Sequence, residues 1–325
     1  MIIVTGAAGF IGSAILWRLN QEGLNDIFVV DHFGKQSKWK NLVKRNFSSM
    51  LHKNEFLAWL QTEGKKQKIE AIFHMGACSS TLQMDMDYLL SNNVQYSMKI
   101  FEHCAEFSIP LIYASSAATY GLGEHGYSDQ AEVLPKLHPI NPYGYSKQLF
   151  DLWASKQTRK PPFWCGLKFF NVFGPNEYHK EDMRSLVAKA YPQIIKSGEL
   201  KLFKSHHPDY GHGEQKRDFI YIKDVVDVIL HCWKEAIPSG IYNVGTGQAR
   251  TFADLGSAVF SALNMKPVFE WVDMPHELRD QYQYFTQADL NQLRKIVRYR
   301  KPFTALEDAI QDFVRNYISQ KDQYL

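Results

Sequence analysis

Short apolar runs recur along the first half of the chain, separated by stretches in which apolar residues repeat every three or four positions. Short runs rich in β-branched residues are typical of buried parallel strands. They fall at residues 2–4, 27–30, 70–77, 110–115 and 168–175. Between the first two runs, Ile11, Ile15 and Leu19 follow the helical repeat. This alternation predicts an α/β fold with a Rossmann-like doubly wound parallel sheet, whose ligands bind across the carboxyl ends of the strands.

A glycine-rich turn, Thr-Gly-Ala-Ala-Gly-Phe-Ile-Gly, joins the first apolar run to the first helix. Gly6, Gly9 and Gly12 are three apart, and Asp31 ends the second run 19 residues after Gly12. Glycines so placed permit a tight turn and close approach of a pyrophosphate, which the helix N–H groups then face. Strand, turn, helix, strand and acid occur in the order that the motif requires, so the unit predicts dinucleotide binding.

The strand–helix rhythm loosens after about residue 168. We therefore expect a dinucleotide-binding domain over residues 1–168. Residues 169–325 are expected to form mainly a smaller C-terminal substrate-binding lobe, some segments of which return to the first domain.

Composition and charge exclude several classes of protein. The 325 residues are 45% apolar and 22% charged, as in an ordinary globular protein. A formal charge of +3 is too small to indicate a nucleic-acid partner. No apolar run is long enough to span a bilayer, and the glycine turn leaves no room for a signal peptide. The cysteines lack Cys-x-x-Cys spacing and the histidines at 206, 207 and 212 lack ligand spacing, which favours a reduced cytoplasmic protein without a metal site.

The candidate chemistry lies at Tyr143 and Lys147. Pro142 is well placed to start a helix, on which these two side chains would project from one face. A cation beside a phenol should lower the pKa of Tyr143 and make it usable as a base. Ser116, at the end of a predicted strand, would supply a hydroxyl that holds a substrate oxygen. Tyr145 is two residues from Lys147 and should point elsewhere.

The cofactor preference stays open at this point. Asp31 suits hydrogen bonds to an adenosine ribose and favours NAD. Lys35, Lys38 and Lys53 would neutralise a 2′-phosphate and favour NADP, or would simply be solvated.

Other polar residues also allow two interpretations. Arg217 would clamp a diphosphate or pair with Asp218 at the surface. Lys180 is a base or a solvated loop residue, and His179 precedes it in the same polar loop. Asn92 or its neighbour Asn93 would bond main chain near the cofactor, or serve as a helix cap.

The glycine spacing and the Ser116, Tyr143 and Lys147 set resemble the extended short-chain dehydrogenases/reductases. Four longer stretches, residues 73–81, 113–121, 170–175 with 179–180, and 284–290, resemble the ADP-L-glycero-D-manno-heptose 6-epimerases. The resemblance implies an isomerase that inverts C6″ of ADP-D-glycero-D-manno-heptose, for the heptose of lipopolysaccharide core. It also implies tightly bound NADP and a homo-oligomer, with a pentamer suggested by the family.

The resemblance further implies roles for individual residues. Tyr143 and Lys180 would be the two acid/base groups, with Lys147 tuning Tyr143. The expected cofactor contacts are Gly6, Gly9, Phe10, Ile11, Gly12, Asp31, His32, Lys38, Lys53, Met75, Gly76, Ala77, Cys78, Ser79, Asn92, Lys147, Val172 and Lys180. The expected substrate contacts are Ser116, Asn171, Asp182, Lys189, Phe203, Arg217 and Tyr282.

The chain departs from the family pattern in three places. Met75 stands where the family often has Glu, Glu181-Asp182 where it usually has Gly-Ser, and the loop at residues 204–215 is longer. The alternatives are a UDP-hexose 4-epimerase or a silent NADP-binding protein. A 4,6-dehydratase is disfavoured, because Ala117 and Ala118 occupy the positions of its acids.

Overall fold

A computed structural model describes residues 1–279 and 282–325. The strands are β1 (Ile2–Thr5), β2 (Ile27–Asp31), β3 (Ser49–His52), β4 (Ala71–His74), β5 (Leu111–Ser116), β6 (Trp164–Phe169), β7 (Asn171–Phe173), β8 (Leu200–Phe203), β9 (Lys216–Tyr221), β10 (Gly240–Val244), β11 (Ala249–Thr251) and β12 (Phe269–Val272). The helices are α1 (Phe10–Gln21), α2 (Lys53–Gln61), α3 (Met86–Leu89), α4 (Tyr96–Glu106), α5 (Pro142–Lys156), α6 (Leu186–Ser197), α7 (Ile222–Lys234), α8 (Phe252–Ala262), α9 (His276–Arg279), α10 (Asn291–Lys295) and α11 (Leu306–Phe313).

A parallel sheet in the order β10-β6-β5-β4-β1-β2-β3 organises the molecule. Each neighbouring pair in this order runs parallel. The strand order reverses at β1, which lies between β2 and β4, and ligands of such sheets bind outside the carboxyl ends at this switch point. The predicted doubly wound parallel sheet is confirmed.

The central strands are buried on both faces, which is why the sequence shows them as continuous apolar runs. Ile2 and Val4 pack on the α1 side of the sheet with Ile15. Ile3 points the opposite way and packs with Ile100 of α4 and Phe150 of α5. Helices on both faces therefore cover the sheet, as period-2 alternation of side chains requires.

The second half of the chain adds smaller sheets, ordered β11-β9-β7 and β12-β8. Their helices α6, α8 and α11 share one continuous core with the α1 face of the large sheet. The single strand predicted over residues 168–175 is wrong, because the chain leaves the large sheet after β6 and joins β9 as β7. At this crossing the Phe170 amide donates to the Val244 carbonyl at 3.0 Å. The domain division at residues 168 and 169 stays a prediction, and β10 comes from beyond it.

Within the described residues, no helix is both long and apolar enough to cross a membrane.

Candidate active site

A cleft of about 530 Å³ opens at the carboxyl ends of the central strands, at the switch point of the sheet. Every residue expected to contact cofactor lines this cleft, together with Ser116 and Tyr143. The remaining six residues expected to contact substrate, Asn171, Asp182, Lys189, Phe203, Arg217 and Tyr282, are not part of its lining.

The floor of the cleft is the turn between β1 and α1. Gly6 has φ +64°, and a Cβ there would approach the Gly76 backbone at 2.7 Å. A Cβ on Gly12 would lie 2.1 Å from the Gly6 carbonyl oxygen, so both positions require glycine. The N-cap of α1 is Gly9, which offers no side-chain cap, and no acidic residue stands in the first turn. Unfilled amide donors in a cradle without side chains fit the pyrophosphate of a dinucleotide.

Asp31 lies at the end of β2 with both carboxylate oxygens engaged. The amide of Ala8 donates to one oxygen at 2.7 Å, and the amide of His32 donates to the other at 2.6 Å. Lys38 also donates to the second oxygen, at 2.7 Å. Lys53 lies at the same end of the cleft and donates to the Asn92 amide oxygen. Burial and the nearby Lys38 lower the pKa of Lys53. This end of the cleft thus holds two lysines, Lys38 and Lys53, beside the single carboxylate of Asp31.

Of the two candidates, Asn92 lines the cleft, whereas it is Asn93 that bonds main chain beside the cleft. Its side-chain oxygen accepts from the Cys78 amide at 2.8 Å, and its nitrogen donates to the Cys78 carbonyl at 2.9 Å. The same nitrogen donates to the Ser146 hydroxyl at 3.0 Å. Asn93 thereby fixes the segment after β4 against α5. Because the two asparagines are adjacent, the sequence alone does not show which of them makes these main-chain bonds.

Tyr143 and Lys147 project into the cleft from the first turns of α5. Asn141 caps this helix by accepting from the Gly144 amide at 2.8 Å, and Pro142 occupies the first turn, as predicted. Lys147 donates to the Ala114 carbonyl of β5 at 2.8 Å. Tyr145 points to solvent with 48% of its surface exposed.

The hydroxyl of Ser116 faces Tyr143. Its oxygen accepts from the Ala118 amide at 3.1 Å, which leaves its hydrogen free to donate. Burial raises the pKa of Tyr143, and the nearby Ser116 hydroxyl opposes that rise. The expected lowering of the Tyr143 pKa by Lys147 is therefore wrong for this structure, because burial dominates. Burial also lowers the pKa of Lys147 to about 8, against the opposing charge of Asp151.

Lys180 reaches the cleft from a 3₁₀ turn at Tyr178–Met183. The turn folds around buried Glu177, which accepts from the Ser185 hydroxyl at 2.6 Å and the Gly174 amide at 3.1 Å. The Lys180 ammonium lies 5.3 Å from the centre of the Phe10 ring. Burial lowers the pKa of Lys180, and Glu177 opposes this. The interpretation of Lys180 as a solvated loop residue is wrong.

Arg217 is buried on β9, with 7% of its surface exposed. Its guanidinium lies 5.3 Å from the Tyr282 ring centre and 5.7 Å from that of Phe252. Asp218 faces the other side of the strand and accepts from the amides of Thr246 and Ala288. The Arg217–Asp218 surface pair is therefore wrong, and among residues 1–279 and 282–325 no carboxylate pairs with Arg217.

The other residues expected to contact substrate lie on separate elements of the second half. Asn171 on β7 and Asp182 after Lys180 are exposed, and Lys189 on α6 is partly exposed. Phe203 ends β8 with 36% of its surface exposed. Among the described residues, none of these four side chains forms a hydrogen bond with Arg217, whose guanidinium donates to the Lys216 carbonyl.

The loop at residues 204–215 packs on an aromatic group beside Arg217. The rings of His207 and Tyr210 lie 5.0 and 5.2 Å from the ring of Tyr284. Tyr284 in turn contacts Tyr282 at 5.2 Å. The loop thus connects to the arginine through three tyrosines, an arrangement that only the tertiary structure reveals.

Comparison with known proteins places this geometry in context. The profile of the NAD dependent epimerase/dehydratase family matches residues 2–245. The chain is 48% identical to the ADP-L-glycero-D-manno-heptose-6-epimerase of Fusobacterium nucleatum and 49% identical to that of Nitratidesulfovibrio vulgaris, in each case over all of both chains. The solved Helicobacter pylori ADP-L-glycero-D-manno-heptose-6-epimerase is 28% identical, with a TM-score of 0.79 over 97% of this chain and 95% of that one.

Proposed function

Because this chain belongs to the NAD-dependent epimerase/dehydratase family, we propose that it is the epimerase that converts ADP-D-glycero-D-manno-heptose to ADP-L-glycero-D-manno-heptose. It is an isomerase of nucleotide sugars that uses a nicotinamide cofactor. The product would supply the heptose of lipopolysaccharide core, in the cytoplasm. The geometric observation that carries the proposal is that Tyr143 and Lys180 line one cleft from two different elements.

Two acid/base groups suit inversion at a carbon that bears only a hydroxyl and a hydrogen. The cofactor, when bound, would accept a hydride from C6″ reversibly. The chain must hold the C6″ oxygen and move its proton, and after rotation of the exocyclic carbon it must do so on the other face. Tyr143, assisted by Ser116, would exchange the proton of the C6″ oxygen when one face of the carbon meets the cofactor. Lys180 would exchange it when the other face does.

The electrostatics of the cleft support these roles. A neutral phenol at Tyr143 is able to donate a proton to the oxygen, and a lysine of lowered pKa at Lys180 is able to accept one. Lys147, which lines the cleft, would contact the cofactor and would stabilise the phenolate when Tyr143 gives up its proton. Ser116 holds the substrate oxygen beside Tyr143.

The test is an NMR assay of purified protein with ADP-D-glycero-D-manno-heptose and no added cofactor. We expect the L-glycero epimer to appear, which would establish both activity and a retained nicotinamide. Tyr143→Phe and Lys180→Met should each lower the rate by about 10²- to 10⁴-fold, whereas Tyr145→Phe, the exposed control, should not. No conversion after addition of NADP⁺ and then NAD⁺ would contradict the heptose assignment, and UDP-hexoses would be tried next.

We propose NADP as the cofactor. Lys38 neutralises Asp31, and Lys53 leaves an additional positive charge at the ribose end of the cleft, which favours a 2′-phosphate. Lys53→Met should weaken NADP binding by about tenfold and leave NAD binding unchanged, as measured by titration. Lys35→Met, at an exposed position of the loop that carries Lys38 and outside the lining of the cleft, is the matched control. Equal loss for both cofactors would contradict the assignment.

The nucleotide of the substrate would be held by the second half of the chain. Arg217, stacked on Tyr282, is proposed to bind the diphosphate, with Asn171, Asp182, Lys189 and Phe203 completing the contacts to the ADP-sugar. A homo-oligomer, pentameric by analogy with the family, is proposed as the assembly.

A further inference from the structure

Lys168 and Asp151 form an ion pair that the proposed chemistry does not use. Both side chains are fully buried, at 0% exposure, and the Lys168 ammonium lies 2.9 Å from the Asp151 carboxylate. Burying two charges costs much of what their attraction returns, and apolar residues of similar size often stabilise a core equally well. An ion pair as deeply buried as this one therefore suggests a role other than stabilising the fold.

The Asp151 end of the pair connects to β5, the strand that carries Ser116. Asp151 accepts from the Ser115 hydroxyl at 2.6 Å and from the Tyr113 hydroxyl at 3.0 Å. Tyr113 reaches this position across Gly166 of β6, where a Cβ would lie 2.4 Å from its hydroxyl oxygen. Asp151 lies one helical turn after Lys147 on α5, so the carboxylate joins the lysine-bearing helix to the serine-bearing strand.

The Lys168 end of the pair connects to the carbonyl group of Ser116 through Thr119. The ammonium donates to the Thr119 hydroxyl at 2.6 Å, and that hydroxyl donates to the Ser116 carbonyl at 2.9 Å. The ammonium also lies 5.2 Å from the Tyr120 ring centre, in the same 3₁₀ turn at Ala117–Tyr120. Asp151 thus holds Ser116 through the hydroxyl of the preceding residue, Ser115. Lys168 holds it through the Thr119 hydroxyl, which donates to the Ser116 carbonyl.

We propose that Asp151 and Lys168 are positioning residues that fix Ser116 relative to Tyr143 and Lys147. The pair ties α5 and β6 to β5 beside Ser116, which β5 carries, and Lys147, which α5 carries. Its charges suit this task because each group makes directional hydrogen bonds, which apolar side chains of the same size would not. The proposal rests on the proposed function only in assigning the chemistry to Ser116 and Tyr143.

Asp151 also acts on Lys147 through its charge. The carboxylate raises the pKa of Lys147 against the larger lowering by burial. Loss of Asp151 would therefore both loosen Ser116 and favour the uncharged form of Lys147.

The experiment compares Asp151→Asn, Lys168→Met and the double variant with wild type. Each single variant leaves one buried charge without its partner and should lower the melting temperature, whereas the double variant removes both charges and should regain most of it. We expect kcat of the double variant to stay about 10- to 100-fold below wild type, with KM within about threefold and the nicotinamide retained, as read from its absorbance. Recovery of kcat together with the melting temperature would overturn the proposal.

Two further variants separate positioning from general stability. Lys223→Met with Asp312→Asn removes a partly buried pair of 2.7 Å outside the cleft, and should lower stability without changing kcat. Lys168→Arg keeps the positive charge and the hydrogen-bond donors. Its kcat should therefore be higher than that of Lys168→Met, which a merely space-filling role would not predict.

A crystal structure of the double variant tests the proposal without any assay. We expect Ser116 and the turn that follows it to be displaced relative to Tyr143, and an unchanged position would overturn the proposal. If wild type failed to epimerise the heptose, the proposed function would fall while this structural outcome would still decide the role of the pair.

Discussion

Asp129 is a buried carboxyl whose ionisation the fold opposes. One oxygen accepts from the Asn243 amide at 2.7 Å, and the other has no partner among the described residues. Burial raises the pKa of Asp129 to about 7. Because the folded pKa lies above the unfolded one, its contribution to stability is present below about pH 4 and is lost as the pH rises towards 7.

Asp129→Asn should therefore stabilise the protein at alkaline pH. The shift corresponds to roughly 4 kcal/mol in the free energy of unfolding once the pH exceeds 7. Thermal unfolding at pH 5 and pH 8 measures the effect, and the gain over wild type should be much larger at pH 8. A gain of equal size at both values would show that the charge of Asp129 is not its cause.

Glu181 adopts a backbone conformation suited to glycine, with φ +49° and ψ −120°. The family resemblance leads us to expect Gly at this position, and glycine would adopt this conformation without strain. Glu181→Gly should raise the free energy of unfolding by about 1 kcal/mol. Glu181→Ala removes the same carboxylate but keeps a Cβ, so a similar gain from Ala would contradict the conformational explanation.

The sequence predicts some of these residues well and others not at all. Tyr143 and Lys147 follow from spacing, because residues four apart on a helix must share a face. The pKa of Tyr143 depends on burial by distant segments, and so the expected direction was wrong. Lys168 lies within an apolar run that already indicated a buried strand, but its partner Asp151 is 17 positions away and no local pattern joins them.

At the scale of elements, the glycine turn and the central strands follow directly from the sequence. Their patterns are local, since a parallel strand buried on both faces needs an unbroken apolar run. The break between β6 and β7 is not local, because the chain changes sheets there without any change in composition. The loop at residues 204–215 is likewise defined only by its contact with Tyr284, some 70 positions later.

Tyr210→Ala tests what this loop contributes. Tyr210 lies near Arg217 but outside the cleft, so its loss should raise KM for the ADP-sugar by about threefold to tenfold and leave kcat within twofold. Steady-state kinetics measure this split, with exposed Tyr145→Ala as the control. A fall in kcat with KM unchanged would place the loop's influence on the chemical step instead.

At the scale of the molecule, the two halves of the chain share structure. The hydrophobic core on the α1 face continues through α7 into α8 and α11, and β10 forms one edge of the large sheet. Residues 1–168 expressed alone would therefore lack an edge strand and expose one apolar face. We expect this fragment to show no cooperative thermal transition by circular dichroism, in contrast to the full chain. A sharp transition would contradict it and support an independent first domain.

The late arrival of β10 has a consequence for synthesis of the protein. A ribosome must deliver the chain as far as Val244 before β6, already paired with β5, gains β10 as its second neighbour, about 75 residues after β6 itself. The edge of β6 that pairs with β10 therefore stays unpaired and exposed while these residues are synthesised. Slow elongation between residues 169 and 244 would prolong that exposure, and chaperone demand should follow codon usage in this stretch.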